Sequence, residues 1–108
     1  MNKNDGYYIE KILGDIAFII EHMTGLSKEA FEREAVLQDS MMFRLIQISE
    51  NARNVSDTYK EKHTEIPWFE MNGLRNRIVH NYGNVDLQIV YETLTVSIPE
   101  LKQLLETL

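Results

Sequence analysis

A chain of 108 residues with 44% hydrophobic and 26% charged side chains has the composition of a single globular domain, predicted over 1–108, and argues against disorder. It contains no cysteine, which excludes disulfides, thiolate metal sites and cysteine nucleophiles. The formal net charge of −6 sets up a long-range field that repels nucleic acid, so any contact with RNA needs a local patch that outweighs the global sign.

The first residues, "MNKNDGYYIEK", lack the charged-then-apolar order of a signal segment. The longest uninterrupted apolar run is "IAFII", far below the roughly 20 residues of a membrane span. These features predict a soluble cytoplasmic protein without a membrane partner.

Apolar spacing is helical almost throughout. Ile9, Ile12, Leu13, Ile16, Ile19, Ile20 and Met23 step by threes and fours, with Asn4 or Asp5 placed to cap the start and Gly25 just past the end. Ser27 is placed to cap a short second helix through "KEAFERE". Leu37, Met41, Leu45, Ile48, Ala52, Val55 and Tyr59 then keep one stripe along a long third helix, which "HTEIP" breaks. Pro67 suits the first turn of a fourth helix, where its missing N–H is not needed. That helix carries Trp68, Met71 and Leu74, and its predicted stop is Asn81–Gly83, since Asn and Gly tolerate a left-handed conformation.

Asp86 is placed to cap the last helix, whose stripe runs Leu87, Val90, Leu94, Leu101, Leu105, Leu108. Pro99 interrupts it, and Ser97 and Glu100 stand at capping-box spacing, so a kink or a fresh start is expected near Pro99. No useful length alternates with period two. The predicted fold is all-α, an up-down bundle of four to five helices whose short loops favour antiparallel neighbours.

Chemistry concentrates in "RNRIVHNYG", residues 75–83. Each of the three histidines, His22, His63 and His80, falls at the predicted C-terminal end of a helix, where an imidazole interacts well with the dipole and the free carbonyls. His22 and His63 have no chemical partner nearby in sequence, and that structural role suffices for them. His80 is different. Arg77 lies three positions before it and shares its face. Arg75 lies five before it, about 140° away on a regular helix. Arg75 and His80 converge on one ligand if the helix ends or distorts between them, or if a second chain supplies the other half. Solvated surface arginines are the alternative for Arg75 and Arg77, and Tyr82 taken alone carries no signal.

"RNRIVHNY" resembles the signature of the HEPN ribonucleases, an arginine followed by a polar residue and then a histidine. More narrowly it is similar to the HepT-like branch, whose pattern of Arg, four residues, His, one residue, Tyr falls here on Arg75, His80 and Tyr82, with Asn76 as the polar residue. The flanks agree: "EIPWFEMNGLRNRIVHNYGNVDLQIVYETL" and the tail "IPELKQLLETL" are similar to the family's run. "DSMMFRLIQISENA" resembles its third helix, with Ser49 where a glycine is common. The resemblance spans nearly the whole chain.

It implies a HEPN-like all-α homodimer whose motifs face a cleft at the two-fold interface, acting as a metal-independent endoribonuclease toxin. It also implies a partner, an MNT-type nucleotidyltransferase antitoxin that silences the toxin by transferring AMP onto the motif tyrosine, here Tyr82. No histidine and carboxylate set stands at metal-ligand spacing, and no cofactor is expected.

RNA cleaves itself when its 2′-OH is deprotonated and attacks the adjacent phosphate. Histidine suits the proton transfer, with an unperturbed pKa of about 6.5. Arginine suits the charge building on phosphorus, as a fixed cation with a planar fork. The expected roles are general acid or base for His80, transition-state stabilisation for Arg75, orientation of the phosphate or His80 for Asn76, and attraction of the RNA backbone for Arg77. A two-fold dimer brings two such sets into one groove and supplies the local positive patch an acidic body otherwise lacks. The competing expectation is a non-catalytic helical accessory subunit of a nucleotidyltransferase, with the motif as a nucleotide or partner contact.

Overall fold

The computed structural model describes residues 4–80 and 85–108, with the backbone alone at 79 and 80. Among these residues there are helices α1 (Asp5–Met23), α2 (Lys28–Glu32), α3 (Ala35–Asn54), α4 (Asp57–Lys62), α5 (Trp68–His80), α6 (Leu87–Glu92) and α7 (Ile98–Glu106), and no strand. A π-helical turn, Thr93–Ser97, joins α6 to α7, so the three form one rod. Four long rods therefore build the bundle: α1, α3, α5 and this composite. α2 and α4 are short connecting helices. The fold is the expected all-helical bundle.

The N-terminal caps behave as their residue types dictate. The side chains of Asn4, Ser27 and Asp86 accept from the backbone N–H groups of Tyr7, Ala30 and Gln88, satisfying donors that a helix start leaves open. Gly25 takes φ 76°, the left-handed conformation that lets the chain turn away from α1. Pro67 stands one residue before α5, and its carbonyl accepts the first bond of that helix from Met71.

α1 and α3 run antiparallel: Asp5 at the start of α1 bonds Ser56 just past the end of α3, and Asp15 further along α1 bonds Arg44 within α3. Ile12, Ile16 and Ile19 of α1 meet Met41, Leu45 and Ile48 of α3 in a core that also takes Phe31, Met71, Leu74, Ile78, Leu94 and Ile98. The Tyr91 hydroxyl donates to the Leu26 carbonyl at 2.6 Å, and its ring lies 5.9 Å from that of Phe31. Together these contacts hold α6 over the turn after α1. No helix among the described residues is long and apolar enough to cross a membrane.

Three local expectations change. The third helix does not run on to Tyr59: it ends at Asn54, and Ser56 caps a separate α4. The break is tertiary in origin, because the Asp5 carboxylate takes both the N–H and the hydroxyl of Ser56. Near Pro99 a new α-helix starts at Ile98, as expected, but without the capping box. Ser97 keeps helical angles (φ −65°, ψ −41°) and its side chain makes no cap bond. Pro99 offers no N–H to the carbonyl four residues back, and its ring crowds that carbonyl. The turn widens instead, and the Ile98 N–H reaches the Thr93 carbonyl. Finally, Leu108 is 40% exposed, while Ile98, outside the expected stripe, is 2% exposed.

Candidate functional site

Residues 75–80 of the motif form the last turns of α5, a helix pinned to α3 by its own backbone. Ser49 of α3 is fully buried at that seam. Its hydroxyl donates to the Asn72 carbonyl at 3.1 Å and lies 3.4 Å from the Arg75 N–H. A small polar side chain lets the two helices approach closely and gives α5 a fixed height against α3. Glu50 is the next residue. Its carboxylate Oε1 stands 2.8 Å from Arg75 Nε, with 45% and 42% of the two side chains exposed. The guanidinium is thus held from one side and open to solvent on the other.

Arg77 is exposed and lines a cavity of about 290 Å³ between α3, α5 and α6, together with apolar Leu45, Leu74 and Ile78 and the capping Asp86. Asn76 is exposed. α5 keeps a regular backbone through His80, so no helix end separates positions 75 and 80. On such a helix positions 76 and 77 lie within about 60° of position 80, whereas position 75 lies about 140° away. Arg75 and Arg77 accordingly leave the helix about 160° apart, one toward Glu50 and the other toward the cavity. The expectations for the His80 imidazole, for Tyr82 and for a helix stop at Asn81–Gly83 lie outside the described residues.

His22 and His63 take structural places. His22 is in the last turn of α1 with its ring 4.2 Å from that of Phe18. His63 caps the C-terminal end of α4, with its ring 4.3 Å from that of Tyr59 and its Nδ1 3.6 Å from the Glu65 carboxylate. Among the described residues no three of His, Asp and Glu gather in a way that could hold a metal ion.

Sequence reading missed Glu50. An acidic residue on an amphipathic helix is ordinarily a solvated charge, and nothing local distinguishes it. The available signal was its place beside Ser49, which stands where glycine is common and so marks a close helix crossing. Any residue flanking that crossing is within reach of the neighbouring helix.

The family described as ribonuclease HepT-like matches residues 12–108. A candidate RNase of Caldanaerobacter subterraneus subsp. tengcongensis is 38% identical over 96 residues, covering 89% of this chain and 86% of that one. The "Probable ribonuclease HepT" of Thermococcus cleftensis is 32% identical over 108 residues, covering 100% and 98%. A Methanocaldococcus jannaschii protein named both as a gamma-glutamylcyclotransferase and as a candidate RNase is 31% identical over 103 residues, covering 95% of this chain and 46% of its own. No solved structure matches the chain.

Proposed function

The chain belongs to the HepT-like ribonuclease family, and from that premise we propose that it is an endoribonuclease, the toxin of a type II toxin–antitoxin pair. The observation that carries this reading is the match over residues 12–108, inside which Arg75, Asn76, His80 and Tyr82 keep the motif's spacing. In the proposed reaction the 2′-oxygen of the RNA attacks the adjacent phosphorus as a general base takes its proton. The bond from phosphorus to the 5′-oxygen then breaks, a proton goes to that leaving oxygen, and a 2′,3′-cyclic phosphate and a 5′-hydroxyl remain.

His80 moves the protons, a role suited to a group that titrates near neutral pH. Arg75 stabilises the charge growing on the non-bridging oxygens. Asn76 orients the phosphate or the imidazole, and Arg77 attracts the RNA backbone. The separation of positions 75 and 80 around a regular α5 supports a two-fold dimer, in which the arginine of one subunit and the histidine of the other share a phosphate. The exposed outer face of Arg75 supports its access to such a ligand.

Tyr82 serves regulation. AMP transferred to its hydroxyl by an MNT-type nucleotidyltransferase antitoxin brings a phosphodiester negative charge and bulk to the cleft, which repels and blocks RNA.

The test is induced expression without any partner. Growth arrest with RNA breakdown, abolished by His80→Ala, supports the nuclease. A harmless wild-type protein that copurifies with a nucleotidyltransferase overturns it in favour of a non-catalytic accessory subunit.

A further inference from the structure

Resting on the assignment of Arg75 to the phosphate, we propose that Glu50 is its positioning residue. From α3 its carboxylate holds the guanidinium in place before RNA arrives, while Ser49 beside it fixes the stretch of α5 backbone from which Arg75 projects.

Three observations meet here. First, the contact is tight and crosses helices: Nε to Oε1 is 2.8 Å, from α5 to α3. Arg44–Asp15 likewise joins two different helices, whereas Lys28–Glu32 and Lys102–Glu106 link near neighbours in sequence. Second, both partners are nearly half exposed, and an ion pair so solvated contributes little to stability. Its value to the fold is small. Its value to a motif arginine is larger, because an unrestrained guanidinium carries rotamer entropy that binding would otherwise have to remove. Third, the two adjacent α3 residues act on one α5 residue at two levels. Ser49 engages the backbone at Asn72 and Arg75, and Glu50 engages the Arg75 side chain.

The same carboxylate has an opposing effect. Placed against the cation, it offsets part of the charge that would draw a phosphate and adds its own repulsion. Glu50 therefore trades ground-state attraction for orientation, which affects binding and turnover in opposite directions. A residue serving the fold alone would not produce that pattern.

The experiment is Glu50→Gln, which keeps size and polarity at a half-exposed position. On an RNA the wild type cuts, we expect kcat to fall about 10-fold, with KM unchanged or lower. In an Arg75→Ala background, where no guanidinium remains to be held, the same substitution is expected to change kcat less than about two-fold. An independent readout needs no cleavage: the Arg75 Nε–Hε proton resonance is expected to be sharp and slow to exchange with water in the wild type and to broaden in Glu50→Gln. An unchanged resonance, an undiminished kcat loss in the Arg75→Ala background, or a raised KM at constant kcat overturns the proposal. If the wild type cuts no RNA, the nuclease reading fails by itself, and the resonance still decides whether Glu50 restrains Arg75.

Discussion

Ser56 gives both its backbone N–H and its hydroxyl to the two carboxylate oxygens of Asp5, at 2.8 Å and 2.7 Å, while its own oxygen caps α4 by accepting from the Tyr59 N–H at 3.2 Å. One carboxylate at the start of α1 thereby decides where α3 stops and α4 begins. The bonds from the Ser56 backbone and then its side chain hold the Asp5 carboxyl below its ordinary value of 3.8.

Because the folded-state pKa is depressed, the stabilisation is fully present above the unfolded value and is lost as pH falls through the folded one. Asp5→Asn is expected to cost about 1 kcal/mol near neutrality, an amount kept small by solvent exposure. The difference from the wild type should stay constant down to about pH 5 and shrink below about pH 4. Urea unfolding followed by circular dichroism at pH 7 and pH 3 measures it, and an equal difference at both would contradict the linkage.

Arg44 lies between an acid and a ring: its Nη1 is 2.9 Å from Asp15 Oδ1 and its guanidinium carbon is 3.8 Å from the Phe18 ring centroid. Lysine can keep the charge but loses the planar surface that stacks and the fork that pairs. Arg44→Lys is expected to destabilise by about 1 kcal/mol. In a double-mutant cycle with Asp15→Asn the two losses should not add, since one pair carries both.

At the seam under the motif, Ser49→Ala is expected to cost about 1 kcal/mol through the lost bond to the Asn72 carbonyl. Ser49→Gly should cost about 1 kcal/mol more, because glycine in a helix interior adds backbone entropy to the unfolded chain. Chemical denaturation of the two variants in parallel checks the order, and a glycine variant as stable as the wild type would show that the hydroxyl contributes nothing.

Tyr82→Phe separates catalysis from control. The variant is expected to cut RNA at the wild-type rate yet to remain toxic when the nucleotidyltransferase is co-expressed, and intact-mass measurement should show AMP additions on the wild type alone. Loss of cleavage in a folded Tyr82→Phe protein would mean the phenol takes part in the reaction itself.

Much of the bundle was legible because its causes are local. The isoleucine stripe of α1, the caps at Asn4, Ser27 and Asp86, and the turn at Gly25 each follow from spacing or from one side chain's bonding habits. What escaped was set by distant partners. Asp5 stops α3 from 51 residues away in sequence, and no pattern around Ser56 reveals it. Likewise the motif could be recognised in the string "RNRIVHNY", but the holder of Arg75 could not, since Glu50 acts across the α3–α5 seam.

The wide turn at Thr93–Ser97 changes how insertions along this rod should be read. Val90, Leu94, Ile98, Leu101 and Leu105 are all buried, a spacing of four, four, three and four. On an ordinary helix the five would stand at about 0°, 40°, 80°, 20° and 60°, a stripe with Ile98 at its far edge. The wide turn winds through less angle per residue, which draws Ile98 back toward the middle of that stripe. Relatives that differ here by one residue can therefore keep both halves of the rod facing inward, and a gap in an alignment at this point is no sign of a changed core.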